Sequence, residues 1–303
     1  LNVSNCSFVN CSTGSDGAAI FKCDILNISN CSFVDCSAAG YGGAIVDYGG
    51  FLNINNCSFV DCSASYGGAI DGSVSGVDDT FVVDCTFVNC SSRHSGGAVY
   101  LDDDSVLSNC SFVNCSAGDY GGAVVSGSGN VLSNCSFVNN SAKDGGAVYL
   151  DDDSVLSNCS FVNNSANDGG AILIQGNNTI LKGSSFDNNY AIRLGGATYF
   201  RGLNGSLINN SFTNNYATNG GAIFWYGNDG AVTDCVFIDN YAPNNGSSIY
   251  WHGDNGNLAN SIVIDNYMSN QVYWWNTENG NIENCKFINN TNGVINKGAK
   301  FSR

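Results

Sequence analysis

A phenylalanine returns every 24 to 28 residues through almost the whole chain. A second motif, Gly-Gly-Ala followed by Ile or Val, comes eight or nine residues after most of these positions, as at Gly42 to Ile45 and Gly220 to Ile223. A fixed period of this length is typical of a solenoid, in which each repeat buries its apolar face against its neighbours. The Phe positions that we expect to stack as a structural ladder are Phe8, Phe33, Phe59, Phe87, Phe112, Phe137, Phe161, Phe186, Phe212, Phe237 and Phe287, with Val263 between the last two.

The residues between these positions favour strands and turns. Charged residues make up only 12% of the 303 residues, and short runs of Val, Ile, Phe and Tyr alternate with Gly, Asn, Ser and Asp. No apolar period of 3.6 residues survives, so helices are not expected. Strands of successive repeats must then pair in parallel, and such connections are overwhelmingly right-handed. We predict an all-β fold, a right-handed single-stranded parallel β-helix (solenoid) with about 12 coils of 24–28 residues.

We expect a single solenoid over residues 1–303, with regular coils in residues 1–190 and divergent, aromatic-rich coils in residues 191–303. Neither end of the sequence carries an obvious polar cap, which predicts an excerpt of a longer protein with further domains in the same chain. No run of about 18 apolar residues occurs, so no membrane span is expected in this segment. The net charge of −16 argues against nucleic acid as a partner, because phosphate contacts need Lys and Arg.

Two motifs in register carry a family resemblance. Phe-x-x-Asn, as in Phe137 to Asn140 and Phe161 to Asn164, followed by Gly-Gly-Ala and Ile or Val, resembles the repeats of polymorphic outer-membrane proteins and of adhesin-like surface proteins of methanogenic archaea. The resemblance covers nearly the whole chain. It implies an extracellular or cell-surface β-helix used in adhesion, whose partner is a glycan or a surface protein of a host or neighbouring cell.

The position three residues after the Phe predicts a second ladder. In the first five coils it holds cysteine, from Cys11 to Cys115, and asparagine occupies it from the sixth coil onward. Stacked amides hydrogen-bond from coil to coil, which gives these asparagines a structural role. The predicted ladder consists of Asn140, Asn164, Asn189, Asn215 and Asn240, and it continues through Asn266 and Asn290.

Fifteen cysteines follow the same repeat: nine lie two residues before the Phe position, five lie three residues after it, and Cys23 stands apart. Stacked coils place their Cα atoms about 4.8 Å apart, within reach of a disulfide, although parallel side chains give a disulfide poor geometry. Buried free thiols, disulfides in some coils and metal binding are the three interpretations. The spacing within a coil resembles no zinc motif.

The strand after Gly-Gly becomes aromatic in the later coils, and its side chains should form columns. If Ile223 points inward, Trp225 does so too and Tyr226 faces outward, whereas the opposite parity exposes Trp225. An exposed aromatic column suits sugar stacking or a protein interface; a wider core in contact with a neighbouring domain is the alternative. The candidate ligand-binding residues are Arg201, Trp225, Tyr226, Tyr250, Trp251, His252, Tyr273, Trp274 and Trp275.

Two acidic triplets lie 49 residues apart in nearly identical segments, Asp102-Asp103-Asp104 and Asp151-Asp152-Asp153. Two coils separate them by about 9.6 Å, which is too far for one calcium ion to bind carboxylates of both. Calcium binding within one triplet and a solvated acidic corner are the two interpretations. No other cofactor is expected.

Asn-x-Ser/Thr sequons recur, many of them just before the Phe position, where strand parity points the Asn outward. Each could carry a glycan on an exported chain, and Asn and Ser also suit exposed turns for structural reasons alone. The glycosylation candidates are Asn5, Asn30, Asn56, Asn109, Asn134, Asn158, Asn204 and Asn245.

The function that the sequence favours is a non-catalytic, adhesin-like surface β-helix that serves as a stalk, a binding surface or both. A polysaccharide-degrading β-helix enzyme and a structural fibre or viral receptor-binding spike are the alternatives. Such an enzyme needs paired carboxylates, or carboxylates with a base, gathered in one groove. The turns of this chain are short and uniform and its basic residues are scattered, so catalysis is not expected.

Overall fold

The computed structural model of the chain describes residues 1–22, 25–73, 80–274, 279–290, 293 and 300–301. All regular structure in this part of the chain is β-strand, as predicted. None of the described residues forms a helix that is long and apolar enough to cross a membrane. Each strand pairs in parallel with the equivalent strands of the preceding and following coils, so that the coils stack into a β-solenoid.

Four columns of strands, which we name sheets A to D in the order in which a coil visits them, make up the solenoid. Sheet A consists of Asn2–Ser4, Leu26–Ser29, Leu52–Asn55, Thr80–Val83, Val106–Ser108, Val131–Ser133, Val155–Ser157, Ile180–Lys182, Ser206–Ile208, Ala231–Thr233, Asn257–Ala259, Asn281–Glu283 and Lys300–Phe301. Sheet B consists of Ser7–Val9, Ser32–Val34, Ser58–Val60, Thr86–Val88, Ser111–Val113, Ser136–Val138, Ser160–Val162, Ser185–Asp187, Ser211–Thr213, Val236–Ile238, Ile262–Ile264 and Lys286–Ile288.

Sheet C is shorter, and isolated bridges continue it between and beyond its strands. Its strands are Ser12–Thr13, Ser37–Ala38, Ser63–Ala64, Ser91–Ser92, Ser116–Ala117, Ser165–Asp168 and Tyr190–Leu194. Sheet D consists of Ile20–Lys22, Ile45–Asp47, Ile70–Asp71, Val99–Leu101, Val124–Ser126, Val148–Leu150, Ile172–Ile174, Thr198–Phe200, Ile223–Trp225, Ile249–Trp251 and Val272–Trp274.

The Phe positions pair with one another in sheet B and form a continuous stack of rings inside the solenoid. Consecutive rings from Phe8 to Phe237 have centroids 4.7 to 5.0 Å apart and lie within 6° of parallel. The stack continues in register through Val263 to Phe287. Offset stacking of this kind adds to the stabilisation that apolar burial already gives.

The asparagine ladder is confirmed. Each side chain from Asn164 to Asn240 donates to two acceptors and accepts twice: Asn164 Nδ2 donates to Asn189 Oδ1 at 3.0 Å and to the Phe137 carbonyl at 3.1 Å. Its Oδ1 accepts both the backbone N–H and the side-chain amide of Asn140. Because these amides are buried, such a fully satisfied network is needed to offset the cost of removing them from water.

The corners of each coil require left-handed backbone, and Asn or Asp supplies it. Apart from glycine, every described residue with positive φ is Asn or Asp, with Met268 as the exception. The run from Ser105 to Val113 has the composition of one long strand, but such a corner at Asn109, with φ of 54°, divides it into two. Asn and Asp tolerate this conformation better than other residues with a side chain.

The two glycines of the Gly-Gly motif have different roles. Gly42 has φ of 55°, in the left-handed region. A Cβ on Gly43 would lie only 2.0 Å from the Gly68 carbonyl oxygen of the next coil. The first glycine therefore provides the corner, and the second allows successive coils to approach closely.

Candidate ligand-binding groove

The burial of the side chains in sheet D shows which residues of its strands point inward and which point outward, a choice that the sequence left open. Ile223 and Trp225 point inward, and Trp225 and Trp251 are fully buried. Trp225 stacks on Phe200 with centroids 4.1 Å apart and on Trp251 at 5.0 Å. A Cβ on Gly230 would lie 2.3 Å from the Trp225 indole, so glycine at this corner makes room for the ring. Trp225 and Trp251 are therefore core residues and offer no ring face to a ligand, although the sequence analysis named them as candidate ligand-binding residues.

The outer column of sheet D is also covered in the later coils. Tyr250 and Tyr273 are each only 9% exposed and belong to a second apolar cluster on this face. Leu194, from the segment that precedes the strand, packs against this cluster. These two tyrosines are thus poorly placed for sugar stacking. The sequence analysis expected an outward column to be exposed, but it did not consider that other side chains pack over the column.

Arg201, Tyr226 and His252 lie just beyond the strand ends of sheet D and are the predicted candidates that reach the surface. Tyr226 is 52% exposed and stacks on His252 with centroids 4.7 Å apart. The Arg201 guanidinium lies 4.7 Å from the centroid of the Tyr199 ring. Trp274 ends a strand of sheet D but its side chain is not described, and Trp275 lies outside the described residues.

An open cleft of about 380 Å3 lies on the outer face of sheet D in the middle coils. Sequence analysis did not find it. We name it the tyrosine–aspartate cleft after its main lining residues, Tyr100, Tyr120, Tyr149, Asp102, Asp103 and Asp151. It thus brings together three aromatic rings with three of the aspartates that the sequence singled out.

The cleft exists because one coil with small side chains lies between two coils with large ones. In register, Tyr100 pairs with Val125, and Val125 pairs with Tyr149. Two steps of about 4.8 Å place the two tyrosines about 9.6 Å apart, with valine between them. Two residues further along, the three coils carry Asp102, Gly127 and Asp151, so the small coil also leaves a gap between two carboxylates.

A buried amide fixes the backbone of the small coil. Asn130 is fully buried, and its Nδ2 donates to the Asp102 carbonyl at 2.9 Å and to Ser126 Oγ at 2.8 Å. Its Oδ1 accepts the backbone N–H of Ser105. The Asp103 carboxylate in turn accepts the Ser128 N–H at 2.6 Å. The floor of the cleft is therefore tied to the coil below by hydrogen bonds, which favours a preformed site.

The ionisable groups of the cleft are acids and phenols. Burial, followed by the charge of Asp151, raises the pKa of Tyr149 to about 12. Burial also raises the pKa of Asp151, and the neighbouring Asp152 and Asp103 carboxylates add to this effect. The cleft lining among the described residues contains no Lys or Arg. It therefore presents neutral hydroxyl groups and negative charge to a ligand.

The acidic triplets hold the next coil in place. Besides the Asp103 contact with Ser128, the Asp152 carboxylate accepts the Asn177 N–H, and Asp153 Oδ1 accepts from Asn178 Nδ2 at 2.9 Å. Asp104 and Asp153 occupy left-handed corners. No three His, Cys, Asp or Glu side chains of the described residues come close enough together to hold a metal ion. Calcium binding at these triplets remains a hypothesis without a ligand set in the described part of the chain.

A carboxylate pair that the sequence analysis missed, Asp144 and Asp168, lies outside the cleft lining in the two coils that follow Tyr120. Asp144 bridges to Tyr120 in the coil before and to Asp168 in the coil after. Asp168 is buried and accepts a hydrogen bond from Arg193 Nε at 3.1 Å. Burial and then the Asp168 carboxylate raise the pKa of Asp144. Tyr120, Asp144 and Asp168 each come just before a Gly-Gly pair, so a comparison of this position between coils would have revealed the two carboxylates.

The glycosylation candidates lie at corners. Asn5, Asn30, Asn56, Asn109, Asn134, Asn158 and Asn204 are exposed there with positive φ, and Asn245 is partly buried. Parity reasoning placed them correctly on the surface but as strand residues, whereas the left-handed corner is the actual reason. Some of their amides already bond to the neighbouring coil, as Asn56 Nδ2 does to Asn30 Oδ1 at 2.7 Å.

The chain resembles known proteins at the level of fold. A family model described as a right handed beta helix region matches residues 73–216. The A-module of the mannuronan C-5 epimerase AlgE4 of Azotobacter vinelandii aligns with 100% of this chain and 91% of that module, at 12% identity and a TM-score of 0.51. A tailspike double mutant of E. coli bacteriophage HK620, solved with a pentasaccharide, aligns with 100% of this chain at 14% identity and a TM-score of 0.49.

This chain spans 60% of the length of that tailspike chain. No curated protein matches it by sequence. The stacked parallel coils and the family model define the class of the protein, a right-handed parallel β-helix. The identities are too low for these likenesses to say more than that.

Proposed function

We propose that the protein is an extracellular, adhesin-like β-helix that binds a saccharide chain in the tyrosine–aspartate cleft without catalysing a reaction. The observation that carries this proposal is the gap one coil high between Tyr100 and Tyr149. The Tyr100 and Tyr149 positions lie two coil steps apart, about 9.6 Å, and the smaller Val125 lies between them. The gap therefore accommodates one flat six-membered ring.

The polar groups at the cleft suit a sugar as well. The C–H face of a pyranose packs on aromatic rings, while its hydroxyl groups donate to carboxylates such as Asp102 and Asp151. Ligand sites commonly combine aromatic walls with a few polar groups that fix orientation. A protein partner that presents an apolar side chain is the other occupant that fits this gap. The test distinguishes the two occupants, because free oligosaccharides would not bind a site that is built only for a protein partner.

A substitution that fills the gap tests the proposal. Tyrosine at position 125 would complete an aromatic column like that of Tyr199, Phe224 and Tyr250, so Val125→Tyr should fold. Loss of stacking on two faces, at about 0.5–1.5 kcal/mol each, should weaken binding about 5- to 150-fold. The assay is titration of the wild-type and variant chains with immobilised and free neutral, acidic and amino-bearing oligosaccharides.

Tyr190→Ala is the matched control, because Tyr190 is an exposed, stacked tyrosine in sheet C, away from the cleft lining. It should bind saccharide as the wild type does. Equal affinity of Val125→Tyr and the wild type would refute the proposed site. Absence of wild-type binding to every oligosaccharide in the panel would refute saccharide binding itself.

The extracellular location and the stalk role belong to the same proposal. Exposed sequons at one corner of successive coils, at Asn109, Asn134 and Asn158, support it. Their spacing of about 4.8 Å leaves no room for a glycan on every coil, so occupancy should be partial. Glycopeptide mapping of the chain isolated from its natural source tests this, and the absence of glycan from all three peptides would remove that support.

The Asp144–Asp168 pair favours one second candidate, a saccharide-cleaving enzyme. Burial and the neighbouring Asp168 carboxylate raise the pKa of Asp144, and a carboxyl group with a raised pKa next to a second carboxylate suits an acid role. The test measures new reducing ends or unsaturated ends after incubation with acidic polysaccharides. Cleavage that Asp144→Asn abolishes would favour the enzyme, while binding without cleavage by the wild type would exclude it for those substrates.

A further inference from the structure

Seven cysteines form an uninterrupted column at the corner between sheets A and B. Each follows the left-handed corner residue and directly precedes a strand of sheet B. All fourteen cysteines of the described residues are free thiols. The members of this column, which we name the corner thiol column, are Cys6, Cys31, Cys57, Cys85, Cys110, Cys135 and Cys159.

The thiols of the column share one side-chain conformation. The Sγ atom of each lies 3.1 to 3.2 Å from the carbonyl oxygen two residues earlier. Because equal conformations repeat with the coil, neighbouring sulfurs are separated by the coil step. The adjacent Phe rings measure that step as 4.7 to 4.9 Å.

This spacing suits a bridging cation better than a disulfide. A disulfide needs Cβ atoms about 3.8 Å apart and side chains that converge, whereas these side chains are parallel. Two bonds between sulfur and a metal, at about 2.3 Å each, span about 4.6 Å in a straight line. Soft cations such as Ag(I) and Cu(I) prefer thiolate ligands. Two sulfurs also suffice for a linear ion, so the absence of larger ligand groups among the described residues is no obstacle.

Backbone donors are in place to stabilise sulfur that carries negative charge. The N–H groups of Cys31 and Cys57 donate to the Sγ atoms of Cys57 and Cys85, each at 3.4 Å. Cys135 N–H donates to Cys159 Sγ at the same distance. Hydrogen bonds to the charged form of a group favour that form. The column therefore offers an environment in which a thiolate with a bound cation is tolerated.

The column also borders solvent. An open cleft of about 520 Å3 follows this corner, and Cys6, Cys31 and Cys57 line it beside exposed corner asparagines. In the second cysteine column, Cys11 is partly exposed and the members from Cys36 to Cys115 are completely buried. A cation can therefore reach the corner thiol column from solvent at Cys6, Cys31 and Cys57, while the four later thiols are at most 2% exposed and lie deeper in the same column.

We propose that adjacent thiols of the corner thiol column bind soft, two-coordinate monovalent cations, one ion between two sulfurs. In each event two S–H bonds break, two sulfur–metal bonds form and two protons pass to solvent. No electron is transferred, and the bridged unit carries one negative charge. Seven thiols provide three separate adjacent pairs.

The chain supplies its own conservative replacement for these cysteines. Ser184 and Ser261 occupy the same column position in later coils. Ser184 Oγ donates to the carbonyl two residues earlier at 3.2 Å and accepts the Cys159 N–H at 3.1 Å. Serine therefore makes both hydrogen bonds that cysteine makes there, and cysteine-to-serine variants should fold.

The test uses the full chain, reduced and handled without oxygen, with Ag(I) as the probe. The triple variant Cys31→Ser, Cys85→Ser and Cys135→Ser leaves four thiols in the column, each two coils from the next. It should bind about three fewer Ag(I) ions than the wild type, with about six fewer protons released, as measured by calorimetry and pH-stat titration. Cys235→Ser is the matched control, because Cys235 has Asn210 and Ser261 as column neighbours and forms no pair.

Equal Ag(I) stoichiometry in the wild type and the triple variant would overturn the proposal. A fall of the same size in Cys235→Ser would also overturn it, because isolated thiols would then be sufficient. Circular dichroism of each variant establishes that the solenoid is intact. Conversion of the reduced wild-type column to disulfides by oxidised glutathione, with no such conversion in the triple variant, would show that the sulfurs approach too closely for a linear bridge and would likewise refute it.

Discussion

Replacing one asparagine of the ladder should lower the free energy of unfolding by more than the loss of one small polar side chain suggests. Asn189 Oδ1 accepts the backbone N–H and the side-chain amide of Asn164, each at 3.0 Å. Its Nδ2 donates to the Phe161 carbonyl at 3.1 Å and to Asn215 Oδ1 at 3.0 Å. Asn189→Ala removes all four hydrogen bonds at a site that is almost completely buried.

Two donors of Asn164 would be left without a partner: its backbone N–H and one N–H of its amide. An unsatisfied buried group costs about 1–3 kcal/mol, so the two together cost about 2–6 kcal/mol. The Asn215 oxygen keeps a partner, since it also accepts the backbone N–H of residue 189. We expect Asn189→Ala to lower the free energy of unfolding by about 4 kcal/mol.

The first coils suggest the control. Cysteine occupies this column up to Cys115, where its Sγ contacts the carbonyls of Phe87 and Val113 at 3.8 and 3.7 Å. Asn189→Cys keeps most of the volume and a weak acceptor, so it should cost less than about 2 kcal/mol. Guanidinium unfolding followed by the fluorescence of the buried tryptophans measures both variants. A loss below about 1 kcal/mol for alanine, or equal losses for the two variants, would refute the reasoning.

Three further outcomes are expected. Phe137→Ala should lower the free energy of unfolding by about 3–5 kcal/mol in chemical denaturation, because it opens a cavity in a fully buried stack. Burial raises the pKa of Asp71 from 3.8 to about 6, so the folded state holds a proton that the unfolded state releases between these values. Stability should therefore fall by about 3 kcal/mol as pH rises through this window, and Asp71→Asn should abolish that fall in thermal melts. Cys115→Asn should raise the melting temperature, because the new amide would extend the ladder towards Asn140 Oδ1.

Features that repeat in register could be predicted from sequence, because stacking imposes the same requirement on the equivalent position of every coil. The Phe column, the asparagine ladder and the close approach at Gly43 follow from this rule. Each is a backbone or core requirement that every coil must meet. The repeat period was therefore sufficient to predict the fold.

Parity was the weaker guide, because corners and covering side chains interrupt it. The left-handed residue at Asn109 breaks one apparent strand into two, and parity does not persist across such a corner. Parity correctly allowed Trp225 to point inward, yet it could not show that the outward Tyr250 would also be covered. What packs over a strand depends on neighbouring segments, and a single strand pattern does not contain that information.

The sites arise from differences between neighbouring coils. The identical backbone step keeps side chains of adjacent coils about 4.8 Å apart, so a change of residue in one coil opens or closes a gap of defined height. Val125 between two tyrosines makes the tyrosine–aspartate cleft. Ser184, at the equivalent position in the coil after Cys159, ends the corner thiol column. In such a solenoid, gaps and interruptions occur where a column changes its residue, so a search for binding sites should compare columns between coils as well as motifs along the chain.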